Sequence, residues 1–121
     1  MTYSQKKRDV RIKRVYLPPA RDDGARILVD RLWPRGVSKG DAAIDRWLRD
    51  IAPSAALRAW FGHDPARWET FQQRYRAELE ERTALLDELR EMARERRLTL
   101  VYAARDEQRN QAVVLREVLL D

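Results

Sequence analysis

The feature that most restricts the fold is a pair of short apolar runs, Ile27–Asp30 (ILVD) and Leu98–Tyr102 (LTLVY), with a long helix-patterned stretch between them. Four or five apolar residues in a row, bounded by polar ones, read as a strand buried on both faces. Two such strands with about sixty helical residues between them do not make a hairpin; they pair in parallel through a crossover, the α/β arrangement. A further strand is read at Val10–Tyr16 (VRIKRVY), where Val10 and Ile12 alternate with Arg11 and Lys13. Leu17-Pro18-Pro19 stops it, since proline donates nothing to a ladder, and Arg21-Asp22-Asp23-Gly24 is a turn signal. The connection Leu17–Ala25 is short for a parallel crossover. The residues therefore leave both a parallel and an antiparallel placement of this strand open.

The middle of the chain is patterned as helices. Asp41 is read as the cap of a helix carrying Ile44, Trp47, Leu48 and Ile51, ended by Pro53. Ser54 caps a short helix with Leu57, Trp60 and Phe61, closed by Gly62. Asp64-Pro65 restarts the chain with an acidic cap and a proline at the first helical position. Trp68, Phe71, Tyr75 and Leu79 then form one stripe, and Leu85, Leu86, Leu89 and Ala93 another, with a break expected at Arg82–Thr83. From Arg109 a last helix turns Ala112, Val113, Leu115, Val118 and Leu119 inward. The expectation is an α/β fold: a small, mostly parallel sheet of three or more strands flanked by helices. It forms a single three-layer-like domain over residues 10–121, after a flexible N-terminus at residues 1–9.

Length and composition narrow the function classes. A chain of 121 residues is one domain large enough for its own core. It has no cysteine, which excludes disulfides, thiolate metal sites and a thiol nucleophile. The single histidine excludes a multi-histidine metal centre, and no glycine-rich phosphate loop or nucleophile-elbow serine is present, so no metal and no cofactor is expected. The opening segment lacks the apolar core of a signal peptide. No run approaches the ~18 apolar residues of a membrane span, so a cytoplasmic protein with no membrane partner is expected. The net charge of +5 is uneven: residues 1–40 hold eleven Lys or Arg against four Asp. A basic front suggests an anionic partner. With twenty-one arginines and only four lysines, a coding bias accounts for the same excess.

Open α/β sheets bind ligands outside the carboxyl ends of their strands. After Ile27–Asp30 come Arg31, Trp33, Arg35 and Gly36; after Leu98–Tyr102 come Arg105, Asp106 and Asn110. If the two strands are parallel, these loops share one edge. The arginines then suit phosphate or carboxylate oxygens, and a helix N-terminus adds backbone donors. The competing reading is a structural lock in which Asp30 and Arg31 pair with Arg105 and Asp106. Trp33 is either a plug for its loop or a stacking platform for a base. His63 is either a general base oriented by Asp64 or part of the turn that Asp64 caps. Val10–Tyr16 has the charge to track phosphates, but no recognition helix accompanies it. The functional expectation is binding, extending to hydrolysis, of a phosphate-bearing ligand such as a nucleotide or nucleic acid. Arg31, Trp33, Arg35, Arg105 and Asn110 would hold it, and Asp30, Asp106 and His63 are the candidate catalytic groups. The alternative is a non-catalytic interaction module or homodimer built on Trp47, Trp60, Phe61 and Trp68.

Three segments, VDRLWPRG (29–36), IAPSAALRAWFGHDPARW (51–68) and LVYAARDEQRNQAVVL (100–115), resemble the YeaO-like branch of the domain-of-unknown-function 488 family. The likeness runs from Ile12 to Leu119. It implies a compact α/β domain with mostly parallel strands, which favours the parallel placement of the first strand. It implies little about activity. Many relatives outside the branch carry a Cys-His-Arg run after the last strand. Here the corresponding stretch is Gln108-Arg109-Asn110-Gln111, so thiol or metal chemistry does not carry over.

Overall fold

The computed structural model describes residues 8–121. The flexible end expected over residues 1–9 lies outside the described residues except for Arg8 and Asp9. Both of these are anchored: Arg8 donates to the Leu119 carbonyl at 2.8 Å, and Asp9 pairs with Arg97 at 2.8 Å.

Four strands, β1 (Val10–Arg14), β2 (Ala25–Leu28), β3 (Arg46–Trp47) and β4 (Leu98–Tyr102), form one sheet in the order β1-β4-β2-β3, with every pairing parallel. The first strand thus pairs with β4, not with β2, and the chain from Val15 to Gly24 carries it across to the other side of β4. Burial follows position in the sheet. Every residue of β2 and β4 is buried, whereas the edge strands are mostly half-exposed. That is why only the central pair reads as uninterrupted apolar sequence.

Helices α2 (Ala55–Phe61), α3 (Trp68–Leu79), α4 (Thr83–Glu95) and α5 (Gln111–Leu120) bury their apolar stripes in one core with Val10, Ala25, Ile27, Leu98 and Leu100. The opposite face is covered by a thinner layer: α1 (Lys39–Ala42) and its flanking loops bring Ala42, Trp33, Val37 and Ile44 onto Val15, Leu28 and Val101. Ser54, Gly62 and Asp64 cap and close helices as the sequence indicates, and α3 gives way to α4 at Glu80–Arg82. In α5 the inward residues are Ala112, Val114, Leu115 and Leu119; Val113, expected inside, is half-exposed, one position from the buried Val114.

The segment 41–51 departs from the helix expected there. Ser38, not Asp41, caps α1, and Ala43 ends it in the left-handed region at φ 49°. The chain then runs along the open edge of β2: Asp45 N–H donates to the Arg26 carbonyl and Leu48 N–H to the Leu28 carbonyl, both at 2.9 Å. Backbone groups on an unpaired central strand demand partners, and supplying them outweighs the helical spacing of Ile44, Trp47, Leu48 and Ile51. Those four side chains end on opposite faces of the sheet. The strand expected at Ile27–Asp30 also begins earlier, at Ala25, because Arg26 is buried inside it. Its guanidinium donates to Asp23 at 2.7 Å and to the Ala42 carbonyl at 2.8 Å.

Gly24 sets the entry into β2. Its φ is 67°, and a Cβ there would sit 2.1 Å from the Arg97 carbonyl oxygen, the acceptor of the Ala25 N–H. Gly24→Ala is expected to lose about 2–4 kcal/mol of stability through combined strain and overlap. Gly40→Ala, with nothing within 4 Å of the added carbon, should stay within ~0.5 kcal/mol of the parent. Urea midpoints of the two variants check this; equal midpoints would contradict the close approach.

Candidate functional site

The central β2–β4 pairing puts the carboxyl ends of both strands side by side. Val29 N–H donates to the Val101 carbonyl at 3.0 Å, and one step further the Ala103 N–H donates to Asp30 Oδ2 at 3.1 Å. Beyond this point the two chains diverge, and a pocket of about 410 Å³ opens between them. Asp30, Arg31, Trp33 and Arg35 line it from the β2 loop, Ala103, Arg109, Asn110 and Gln111 from the β4 side, and Arg58, Phe61 and His63 from α2 and the turn after it. An adjoining hollow shares His63 and Ala103 and is lined by Arg105 and Asp106. All eight residues singled out in the sequence therefore lie on one of two neighbouring concavities, with Asp106 and Arg105 in the second. Arg58, Arg109 and Gln111 are additions. Arg58 reads in sequence as the solvent side of a short helix, and only the placement of α2 against the strand ends brings it to the pocket.

The structural lock does not form. Arg31 donates to the carbonyl of Pro53 at 3.0 Å and, more weakly, to that of Ala52, which ties its loop to the segment before α2. Asp106 accepts from the N–H groups of Gln108 and Arg109 and from the Arg109 guanidinium. Those donors, the Gln108 N–H first, hold its carboxyl below the usual range. Asn110 is fully buried: Oδ1 accepts from Ala112 and Val113 N–H, capping α5, and Nδ2 donates to the Asp106 carbonyl. Trp33 donates its indole N–H to the Val37 carbonyl at 2.7 Å and meets Trp47 edge-on at 5.5 Å, so it braces its loop while one part lines the pocket. Among the described residues, the guanidiniums of Arg35, Arg58 and Arg105 have no carboxylate within 4 Å, which leaves them open to an external anion.

His63 stands on the ridge between the two hollows with a φ of 56°. Asp64 does not orient it. One oxygen of Asp64 accepts from the Ala66 N–H at 3.0 Å, capping the next turn, and the other lies 3.7 Å from Arg67. The rings weighed as a partner surface are largely packed. Phe61 is buried and stacks on Phe71 at 4.3 Å; Trp60 and Trp68 pack on the main core and Trp47 on the smaller one.

Asp30 is the outlier of the site. It is largely buried, and no cation lies within 4 Å of it among the described residues; one donor reaches each oxygen, the Ala103 N–H on Oδ2 and the Gln111 side-chain amide on Oδ1. Burial pushes its carboxyl up to about 6, against the partial relief given by those donors and by the more distant Arg58. The folded state thus binds a proton between pH ~4 and ~6 that the unfolded chain does not, so Asp30 lowers stability as pH rises through that window. The step is about 2–3 kcal/mol. Asp9, Asp23 and Asp106 are shifted the other way and act only below it. Asp30→Asn is expected to remove the decline between pH 4 and 6 in denaturant melts; an unchanged slope would mean that the carboxylate is not desolvated.

Comparison with known proteins places this chain in a family. The family described as "Inactive DUF488-N3 subclade" matches residues 9–121. The uncharacterised protein Rv3073c of Mycobacterium tuberculosis H37Rv is 44% identical over 110 residues, covering 91% of this chain and 92% of its own. The uncharacterised protein YeaO of Escherichia coli K12 is 42% identical over 111 residues, covering 92% and 96%. No solved structure matches. With the parallel sheet and the near full-length matches together, the chain belongs to the DUF488 family, in the subclade described as its inactive N3 branch.

Proposed function

We propose that this domain is a binding module for a phosphate-bearing small molecule of mononucleotide size, which it holds without turning it over. The observation that carries the reading is a pocket at the ends of β2 and β4 whose walls include Arg35 and Arg58, two guanidiniums with no internal carboxylate partner among the described residues. An arginine fork free of protein anions beside a cavity favours phosphate or carboxylate oxygens. The volume of about 410 Å³ falls toward the small end of ligand pockets. The pocket has room for a mononucleotide at the strand ends. Trp33, only half-buried, adds an aromatic wall suited to a base.

Binding without turnover is supported from three sides. The chain has no thiol. His63 has no orienting carboxylate, so the usual nucleophile–base–orienter chain is not assembled. The subclade's description as inactive agrees, and so does Gln108-Arg109-Asn110-Gln111 standing where other family members resemble one another in a Cys-His-Arg run.

Isothermal titration of the full chain with nucleoside monophosphates is expected to show saturable binding. Arg58→Ala and Arg35→Ala should each weaken it about tenfold or more, the scale of a lost charge-assisted contact. Absence of binding across the panel would overturn the reading. Conversion of a bound nucleotide, followed by chromatography over hours, would overturn the claim of no turnover.

A further inference from the structure

We infer that the pocket selects guanine, with the N1–H and 2-amino edge of the base seated on the Asp30 carboxylate; this rests on the phosphate-bearing ligand proposed above and names its base. The argument is a count of acceptor sites. An ionised carboxylate offers about four lone-pair directions. Oδ2 of Asp30 receives the Ala103 N–H at 3.1 Å and Oδ1 receives the Gln111 amide. Each oxygen therefore keeps one acceptor direction, and the group lines the pocket. A largely buried carboxylate with two open acceptors and, among the described residues, no cation within 4 Å is an incomplete arrangement, because burial without full hydrogen bonding is costly.

The groups around Asp30 do not complete it. Arg31, on its own loop, is held by the Pro53 and Ala52 carbonyls. Tyr75 of α3 gives its hydroxyl to the Ile51 carbonyl. Arg109, ahead of α5, is paired with Asp106. His63 lines the same pocket from the turn after α2 without a hydrogen bond to Asp30, and Arg58 of α2 acts on the carboxylate only at longer range. The missing partner is thus a ligand group with two parallel N–H donors. Among the common bases guanine alone offers that pair: adenine and cytosine place an acceptor beside their amine, hypoxanthine has a single donor, and uracil sets its N–H between two carbonyls. A guanidinium compound shares the chemistry, but the aromatic wall of Trp33 favours a ring. Because the base needs the ionised carboxylate, affinity should fall as pH drops below about 6, where Asp30 takes up its proton.

The test is titration of the full chain at pH 7.5 with GMP, IMP, AMP, XMP, guanosine and L-arginine. GMP is expected to bind about tenfold or more tightly than AMP, with IMP between them, the range of a paired base contact. Asp30→Asn should lose GMP affinity and gain XMP affinity, since an amide N–H then faces the 2-oxo group. Equal affinity for the four nucleotides would overturn the guanine assignment and leave the phosphate reading standing. Guanosine binding as well as GMP would do the reverse. L-Arginine binding as tightly as GMP would overturn the base in favour of a guanidinium, and binding of none of these ligands would end both readings. If Asp30→Asn does not fold, the nucleotide ranking on the parent chain decides alone.

Discussion

The parallel pairing of β2 with β4 is the contact on which the rest of the molecule depends. Because these strands are central, each is hydrogen-bonded on both sides and covered on both faces. Their residues must therefore be almost wholly apolar, and the helices must lie over them. Because they run in the same direction, their last residues leave the sheet together. The β2 loop and the approach to α5 are then forced to share one edge, and α2, tied in through the Arg31 contacts to Pro53 and Ala52, closes the third side. A cavity at that edge is a consequence of topology, as in other open α/β sheets. What is particular to this chain is the set of side chains that the loops deliver to it.

Two aspartates at opposite ends of the same sheet show the difference between a carboxylate that stabilises and one that costs stability. Asp23, ahead of β2, is buried. That burial alone would raise its carboxyl, but the Ala20 N–H, Lys13 and Arg26 together hold it below the usual range. Asp30, just past the far end of β2, has two side-chain hydrogen bonds and no cation within 4 Å among the described residues, and its carboxyl is raised. The first is a finished network, with Thr99 also donating to the Asp23 carbonyl. The second costs stability that better packing elsewhere has to offset.

Much of this was readable from the residues, for identifiable reasons. Strands buried on both faces leave an uninterrupted apolar run, so β4 could be bounded to the residue and β2 to within two. Caps are local chemistry, so Ser54, Asp64 and the break before Thr83 were legible. The loops after Ile27–Asp30 and Leu98–Tyr102 could be named as site candidates because parallel strands end on one side. What resisted was whatever tertiary pairing decides. Asp45–Leu48 has a helical spacing and becomes an edge strand because β2 has unpaired backbone groups beside it. Arg26 sits inside a central strand because Asp23 and two carbonyls of α1's end receive it, and no sequence rule announces a charged residue there. Arg58 stays a surface residue, and only the docking of α2 shows that the surface it lies on borders the pocket. Asp30 could be chosen by position, but its lack of a cation is a property of the assembled pocket alone.

The rims of the sheet carry a consequence of their own. β3 contributes only two residues, with Arg46 joined to Glu88 of α4 and Arg49 lying over the Trp47 ring at 4.0 Å. β1 is a five-residue edge studded with Arg11, Lys13 and Arg14, and Arg116 of α5 takes up the Val10 carbonyl at 2.7 Å. A strand from another molecule that tried to extend the ladder would meet a border too short on one flank and, on the other, long charged side chains already held by Asp9, Asp23 and the Ala104 carbonyl. Short, side-chain-covered rims of this kind set the four-stranded sheet against growth by edge pairing.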